Sequence, residues 1–308
     1  MRKMCLETVY ELAKKNKKVI FLGSDLGPGV LDQFKKKIPE RFFMEGVCEQ
    51  GIIGVSAGLA LEGFIPYVNT IATFITRRCF EQIAVDLCLH NLPVRLIGNG
   101  GGLVYAPLGP THQAIEDISI MRTLPNMSII SPCDAVEMQT LMRQTLNYKK
   151  PLYIRLAKGG DKIITKNNEK IKIGKGILKI VPKEHLFIST GITTQIAIEA
   201  ALEISKKRNI KCGVLHLNTI KPLDKGILLK LVSKVKKIVT VEENILAGGF
   251  GSSILELVSD YCPENLHKIS RIGLEDKFVD KYGTQDQLLK YNNLSKTNLL
   301  KIMMKNNA

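Results

Sequence analysis

Apolar and polar positions along the chain follow two different periods. Some segments repeat apolar residues with the period of a helix, and short apolar runs typical of buried strands lie between them. The predicted helices are residues 4–15, 51–61, 194–205 and 248–258. The predicted strands are residues 18–22, 94–97, 127–130, 152–156, 186–189, 213–217 and 238–241. This alternation favours an α/β fold with mainly parallel sheets flanked by helices.

The pattern is interrupted once, near the middle of the chain. Gly159-Gly160 is followed by a stretch rich in Lys and Asn and then by Gly174-Lys-Gly176, a composition typical of an exposed connection. Helical and strand-like segments resume beyond it. We therefore predict two consecutive domains, residues 1–160 and 184–308, joined by a linker of residues 161–183.

Three loops of the first domain are candidates for a binding site. In open α/β sheets, ligands bind beyond the carboxyl ends of the strands. Loops 23–29, 98–112 and 157–160 each follow a predicted strand. The Gly-Asn-Gly-Gly-Gly run at 98–102 matches neither the dinucleotide fingerprint nor the P-loop, so it does not indicate a nucleotide site.

The charge of the chain suggests nucleic-acid binding, but its distribution does not. The 308 residues are 45% hydrophobic and 24% charged, as in globular proteins, and the formal net charge is +15. Basic residues such as Lys206-Lys207-Arg208 lie beside apolar helical stripes, which is typical of solvated helix faces. Neither zinc-ligand spacing nor an RNA-binding signature is present. We expect no nucleic-acid partner.

The spacing of the cysteines and the length of the apolar segments indicate the cellular compartment of the protein. The seven cysteines are scattered without a CxxC pair, so the sequence predicts neither a zinc site nor a disulfide framework. The N-terminal residues lack the apolar core of a signal peptide, and no run of 18 apolar residues indicates a membrane span. We expect a cytoplasmic protein with no metal held by its own residues and no membrane association.

Glu49 and His112 are the strongest candidates for chemistry. Glu49 lies at the entrance of a predicted helix, flanked by Val47, Ile52 and Ile53. A carboxylate there is favoured by the helix dipole, and one held among apolar side chains can hold or share a proton. His112 follows a glycine-rich loop, where it is either a hydrogen-bonded loop residue or an acid/base group.

Other candidates are weak when taken singly. Asp25 is a plausible turn former, Phe74 is more typical of a core, and Lys158 beside Gly159-Gly160 either binds an anion or is an ordinary surface lysine. None of them alone indicates a reaction.

Taken together and in chain order, the motifs resemble those of the transketolase family of thiamine-diphosphate enzymes. In the first domain they are Leu22-Gly-Ser-Asp-Leu26, Glu45-Gly-Val-Cys-Glu49-Gln-Gly, Thr73-Phe-Ile-Thr-Arg-Arg-Cys-Phe-Glu-Gln82, Gly109-Pro-Thr-His-Gln113, Leu124-Pro-Asn-Met127 and Pro132-Cys-Asp134. In the second they are Ser189-Thr-Gly191, Thr219-Ile-Lys-Pro-Leu-Asp224, Val241-Glu-Glu243, Gly248-Gly-Phe-Gly251 and Arg271-Ile-Gly273. The resemblance covers essentially the whole chain. It implies a pyrimidine-binding domain followed by a transketolase C-terminal domain.

The resemblance implies roles for four residues toward the cofactor, thiamine diphosphate. Glu49 matches the glutamate that hydrogen-bonds N1′ of the aminopyrimidine, and Phe74 matches a ring that packs against it. Ile71 stands where the family has a second ring of that wall, and Asp25 matches a polar residue near the cofactor. The cofactor itself carries the electron-sink chemistry.

The resemblance also implies a sugar-binding side, with departures. His112 matches a histidine that stabilises hydroxyls and oxyanions of the reacting sugar, and Lys158 matches an arginine that binds the sugar phosphate. Leu108 replaces an aspartate that reads a sugar hydroxyl, and Gly100 replaces a phosphate-binding histidine. These departures leave open a sugar other than an aldose phosphate, and Tyr105 becomes a candidate specificity residue.

The same resemblance implies a partner. The family binds the diphosphate and its Mg²⁺ through a Gly-Asp-Gly…Asn segment in an N-terminal domain, and the chain contains no such segment. We expect a partner subunit to supply that domain and to hold most of the Mg²⁺ ligands. An assembly with two copies of each chain is the expected oligomer.

The expected function is a transketolase-type transfer of a two-carbon ketol unit between sugars or sugar phosphates. One alternative is a deoxyxylulose-phosphate-synthase-like enzyme, and another is the β-subunit of a 2-oxoacid dehydrogenase, against which Gly109-Pro-Thr-His-Gln113 and Leu124-Pro-Asn-Met127 argue. A third is a non-catalytic assembly subunit, against which Glu49 and His112 argue.

Overall fold

A computed structural model describes residues 1–24, 26, 29–44, 46–157, 159–208 and 210–305. Within them the chain forms two mainly parallel sheets, each flanked by helices, and the predicted fold class is confirmed. None of the helices in these ranges is long and apolar enough to cross a lipid bilayer.

The first sheet contains seven strands. Its strands are β1 (Val19–Gly23), β2 (Phe42–Met44), β3 (Ile65–Ile71), β4 (Arg95–Asn99), β5 (Ser128–Ile130), β6 (Leu152–Leu156) and β10 (Thr219–Lys221). The spatial order is β10-β5-β6-β4-β3-β1-β2, and every neighbouring pair is parallel except β10 with β5. Because the parallel strands end at one edge, the loops that follow β1, β3 and β4 meet there.

Helices cover both faces of this sheet. They are α1 (Arg2–Lys15), α2 (Asp32–Lys37), α3 (Glu49–Leu61), α4 (Phe80–Gln82), α5 (Asp117–Thr123) and α6 (Ala135–Thr145), with π-helical turns Phe74–Arg78 and Ile83–Leu89 on either side of α4. Leu6, Val9 and Ala13 bury one face of α1 at helical spacing. The Asp134 side chain caps α6 by accepting hydrogen bonds from its first backbone N–H groups.

The second sheet contains five strands, in the order β12-β11-β8-β9-β7. Its strands are β7 (Ile177–Ile180), β8 (His185–Ser189), β9 (Cys212–His216), β11 (Lys237–Ile245) and β12 (Ile269–Leu274). Its helices are α7 (Thr193–Arg208), α8 (Lys225–Val232), α9 (Phe250–Tyr261), α10 (Gln285–Tyr291) and α11 (Lys296–Met304).

The sequence pattern does not predict five of the strands, β2, β3, β7, β10 and β12. Two of them, β7 and β10, connect distant parts of the chain. β7 falls within residues 161–183, predicted as a linker, and pairs antiparallel with β9. The buried Lys179 of this strand pairs with Glu169 at 2.5 Å, so a lysine is accommodated there. β10 follows β9 in the chain but joins the first sheet, where Thr219 lies opposite Ile130. The two domains therefore share a sheet edge.

A buried polar network also joins the domains. Glu137 of α6 accepts hydrogen bonds from His216 at 2.8 Å and from Asn218 at 3.1 Å. Burial acts to raise the pKa of Glu137, but the charge and hydrogen bond of His216 outweigh it and lower that pKa to about 2. The carboxylate is thus held in its ionised form by a residue of the other domain.

Candidate active site

Glu49 is the first residue of α3 and its side chain is almost completely buried. Arg78, which ends the π-helical turn after β3, donates a hydrogen bond from Nη1 to Glu49 Oε2 at 2.7 Å. The sequence predicts apolar flanks for this carboxylate and does not indicate the cation. A buried carboxylate is stabilised when a positive charge lies against it, so Arg78 compensates part of the cost of burial.

Arg78 also covers Phe74. Its guanidinium carbon lies 4.4 Å from the centre of the Phe74 ring, a cation–π contact. The half-buried Phe74 ring in turn meets the His112 ring edge-on, with centroids 5.2 Å apart. The structure therefore brings Glu49, Phe74 and His112 into one row, with Arg78 bridging the first two.

His112 is half-buried, so its ring remains within reach of solvent and ligands. Thr111 Oγ1 lies 2.9 Å from Nδ1 of the ring, which favours one orientation of the imidazole. The His112 backbone N–H donates to the Gly109 carbonyl at 3.0 Å, so a tight turn presents the ring. A histidine held in this way can donate a hydrogen bond to an oxygen atom of a ligand or move a proton.

Tyr105 lies beyond His112, with ring centroids 6.4 Å apart. Its ring fills the space above Gly100, where an added Cβ would be 2.1 Å from Tyr105 Cε2. Gly100 also has a φ of +78°, a conformation that favours glycine. A side chain at position 100 and the Tyr105 ring are thus mutually exclusive in this arrangement.

The remaining candidates differ in how far the structure describes them. Ile71 is the last residue of β3, half-buried, and lies three positions before Phe74. Asp25 and Lys158 lie outside the described residues, and their roles stay predictions.

An apolar groove of about 420 Å³ lies beside Glu49. It is lined by Leu22, Phe43, Met44, Cys48, Gly51, Ile52, Val55 and Leu59. Val47, immediately before α3, is 81% exposed, and Val55 is 55% exposed. A buried carboxylate bordered by exposed aliphatic side chains is typical of a surface that another molecule covers.

One group of three metal-ligating residue types occurs within the described ranges: Cys133, Glu137 and His216. Both His216 ring nitrogens are already hydrogen-bonded, Nε2 to Glu137 and Nδ1 to Thr194 at 2.8 Å. Burial, reinforced by the Glu137 charge, raises the pKa of the Cys133 thiol far above its usual range, which favours the neutral thiol in this network. These residues fit a structural hydrogen-bond network better than a metal centre.

Known proteins with the same domain order identify the family. Residues 1–160 match the family model described as transketolase, pyrimidine binding domain, and residues 175–299 match transketolase, C-terminal domain. The chain belongs to the transketolase family. Within a transketolase it corresponds to the C-terminal section. It is 35% identical over 307 residues to a putative transketolase C-terminal section of Methanocaldococcus jannaschii, which covers 99% of this chain and 95% of that protein.

Of two further relatives, one is about as long as this chain and the other is more than twice as long. A solved structure titled "Split gene transketolase, inactive beta4 tetramer" superposes with a TM-score of 0.89 at 30% identity, covering 98% of this chain and 96% of the other. A 1-deoxy-D-xylulose-5-phosphate synthase of Geobacter sulfurreducens is 35% identical over 285 residues, which are 92% of this chain but 44% of that enzyme. This transketolase-family chain thus spans less than half the length of the synthases that it matches.

Proposed function

We propose that this chain is the C-terminal subunit of a thiamine-diphosphate-dependent transketolase that transfers a two-carbon ketol unit between sugars or sugar phosphates. One observation carries the proposal: the buried Glu49 carboxylate, the Phe74 ring and the His112 ring lie in one row at the carboxyl ends of the strands. In this arrangement a buried carboxylate and an aromatic wall adjoin a polar group suited to a sugar.

The residues on the cofactor side fit an aminopyrimidine. Glu49 would hold or share a proton at its carboxylate, and Phe74 would pack against a flat heterocycle through its partly exposed face. The Thr73 hydroxyl beside Phe74 is buried and has no hydrogen-bond partner among the described residues, so it is free to bond a polar ligand. When bound, thiamine diphosphate supplies the carbanion chemistry that cleaves a ketose.

The Arg78 side chain must move off the Phe74 ring before a heterocycle can pack there. It engages the Glu49 oxygen and the Phe74 face, the two groups that the proposal gives to the aminopyrimidine. The Arg78 side chain is 44% exposed and sits at the end of a π-helical turn, so it has solvent into which to rotate. Glu49 would then share a proton with a ring nitrogen of the aminopyrimidine instead of accepting a hydrogen bond from Arg78.

We propose that His112, Tyr105 and Lys158 bind the sugar. His112 would donate a hydrogen bond to a hydroxyl or to an oxygen that becomes negative, which stabilises the transition state more than the ground state. Tyr105 occupies the space over Gly100 and presents a hydroxyl 3.4 Å from Arg2 Nη1. This arrangement favours a sugar whose end distant from the cofactor contacts the Tyr105 hydroxyl and the Arg2 guanidinium.

We further propose that a partner subunit bearing the diphosphate-binding domain docks over the groove beside Glu49 and holds most of the Mg²⁺ ligands. The exposed Val55 in that groove, and the exposed Val47 just before α3, support a macromolecular cover. The relatives of matching length also support it, since one is named a C-terminal section and the other a split-gene transketolase. Two copies of each chain are the proposed assembly.

The experiment compares this chain, alone and mixed with a chain that bears the Gly-Asp-Gly…Asn segment, for binding of thiamine diphosphate and Mg²⁺. We expect tight, Mg²⁺-dependent binding only in the mixture, together with ketol transfer from a ketose donor. Strong Mg²⁺-dependent binding by this chain alone would contradict the need for a partner.

A matched pair of variants tests the role of Glu49. Glu49→Gln should remove ketol transfer by the mixture, whereas Glu62→Gln, which changes an exposed carboxylate at the end of the same helix, should not. Full activity of the Glu49→Gln complex would instead support a non-catalytic assembly subunit.

A second candidate function is a deoxyxylulose-phosphate-synthase-like reaction, which the 35% identity to the Geobacter sulfurreducens synthase favours. It differs in its donor, pyruvate instead of a ketose. Product analysis with each donor in the same mixture separates the two, because only the synthase reaction releases CO₂ from pyruvate.

A further inference from the structure

The loop of residues 100–112, which carries Tyr105 and His112, is closed at its base. The Gly102 N–H donates to the Ala114 carbonyl at 2.8 Å, and the Ala114 N–H donates to the Gly102 carbonyl at 3.0 Å. Loop residues between these two bonds depend on whatever holds the base in place. Within the first domain, the Gly100 and Gly101 N–H groups at the start of the loop donate to the Leu156 carbonyl at 3.0 and 2.9 Å.

The second domain holds that base at two points. The Leu103 N–H, in a fully buried residue, donates to Glu243 Oε1 at 2.9 Å. The Ile245 N–H donates to the Ile115 carbonyl at 2.7 Å. Both Glu243 and Ile245 belong to β11, so one strand of the second domain is bonded on either side of the closure.

Glu243 is itself rigidly held. Gln285 Nε2 of α10 donates to the same Oε1 at 2.8 Å, and Arg155 of β6 donates to the Glu243 backbone carbonyl at 2.8 Å. Arg155 is fixed in turn by a buried ion pair with Asp117 at 2.8 Å. Burial raises the pKa of Glu243 although Arg155 acts to lower it.

The Glu243 carboxylate packs closely against the backbone of the 100–112 loop. A Cβ added at Gly102 would lie 2.4 Å from the Glu243 carboxyl carbon, and Gly102 has a φ of +70°. The glycine thus allows the carboxyl group to approach the backbone closely. A displacement of Glu243 would therefore be transmitted directly to Leu103.

We propose that Glu243 is a positioning residue through which the second domain fixes the 100–112 loop and so sets the placement of Tyr105 and His112. The inference rests on the proposed function, because it takes this loop as the sugar-binding element. It assigns the second domain a part in sugar binding although the site residues lie in the first. A displacement of about 1 Å in a group that orients substrate lowers catalysis by up to about a hundredfold.

Three variants of the full chain separate positioning from stability. Glu243→Ala leaves the buried Leu103 N–H without its acceptor, whereas Glu243→Gln keeps an oxygen that can accept from both Leu103 and Gln285. Glu242→Ala is the matched control, since this neighbouring buried carboxylate binds the Phe250 and Gly251 N–H groups of α9 instead of the loop. Glu243→Asp, which only withdraws the carboxylate, replaces Glu243→Ala where the latter does not fold.

The first measurement is hydrogen–deuterium exchange of the chain alone. We expect exchange over residues 100–112 to be about tenfold faster in Glu243→Ala and unchanged in Glu243→Gln and Glu242→Ala. The second is ketose kinetics of the reconstituted complex. We expect the KM to rise about tenfold in Glu243→Ala with a smaller change in kcat, and rescue by Glu243→Gln.

The outcomes distinguish this inference from the proposed function. Unchanged loop exchange in Glu243→Ala, or an equal effect of Glu242→Ala on loop exchange and KM, overturns it. If the complex is active and its KM for the ketose is unchanged by Glu243→Ala, the positioning role of Glu243 is overturned. The proposed function is not affected by that result. Faster loop exchange in a complex inactive toward every sugar rejects the proposed function while the anchoring remains.

Discussion

Arg78 Nη1 lies 2.7 Å from Glu49 Oε2 while its guanidinium stacks on Phe74. The two charged residues are unequal, because the carboxylate is buried and the guanidinium is 44% exposed. The free energy of the pair is therefore dominated by what the carboxylate loses if the cation is removed.

The first prediction concerns stability. Arg78→Ala should lower the free energy of unfolding by about 1–2 kcal/mol, since Glu49 keeps its burial and loses its counter-charge, with a discount for the exposure of Arg78. Chemical denaturation of the chain measures the change. Arg143→Ala breaks an exposed pair with Glu11 and should cost less than about 0.5 kcal/mol. Equal losses in both variants would mean that the Arg78 pair is no more than a surface contact.

The second prediction concerns His112. In the reconstituted complex, His112→Ala should lower kcat/KM for the ketose by about 10²–10³-fold, because a hydrogen-bond donor to a developing oxyanion is lost. Thr111→Val only releases the Nδ1 contact and should cost about tenfold or less. Steady-state kinetics provide both values, and a His112→Ala complex of normal kcat/KM would remove this residue from the site.

The third prediction couples two positions of the 100–112 loop. Gly100→Ala should destabilise the chain by about 2–4 kcal/mol, because the methyl group meets the Tyr105 ring and the residue has a positive φ. In the Gly100→Ala/Tyr105→Ala double variant the steric cost disappears and the conformational cost remains. A double-mutant cycle in denaturant measures the coupling, and simple additivity would contradict the packing described.

The fourth prediction is a pH dependence. The pKa of Glu137 is about 2 in the folded chain against 4.5 for the ordinary group, so its stabilising contribution is complete above pH 4.5 and is lost as the pH falls toward 2. The shift corresponds to a contribution of about 3 kcal/mol, which Glu137→Gln should lose near pH 5.

Unfolding measured at several pH values tests this dependence. The difference between the wild-type chain and Glu137→Gln should shrink steadily from pH 4.5 to pH 2. Glu40→Gln, at a residue with an exposed side chain, should follow the wild-type curve throughout. A pH-independent difference between wild type and Glu137→Gln would show that His216 does not hold the charged form.

Much of the regular structure follows from local sequence. The strand predicted at 152–156 is β6 with the same bounds, and the helix predicted at 51–61 begins two residues earlier at Glu49. Both elements are strongly apolar, so their local pattern identifies them, whereas the seven-residue β3 is not predicted. β7 and β10 are short, contain lysine and exist through antiparallel pairing with distant strands, which no local period encodes.

The candidate site is likewise predicted only in part by the sequence. The resemblance of the motifs predicts Glu49, Phe74 and His112, and the structure brings these three together. The bridging position of Arg78 depends on how a side chain from one helical turn meets another helix, and the anchor at Glu243 depends on the packing of two domains. Neither contact leaves a signal in the spacing of residues along the chain.

The crossing of β10 into the first sheet has a consequence for how the molecule can be divided. Cutting the chain near residue 160 would remove β10 and leave the backbone donors and acceptors of β5 unpaired at an open edge. Such an edge recruits strands from other molecules, so the isolated first half would be prone to aggregation. Although two family models match this chain separately, the shared sheet makes its two domains depend on each other for folding.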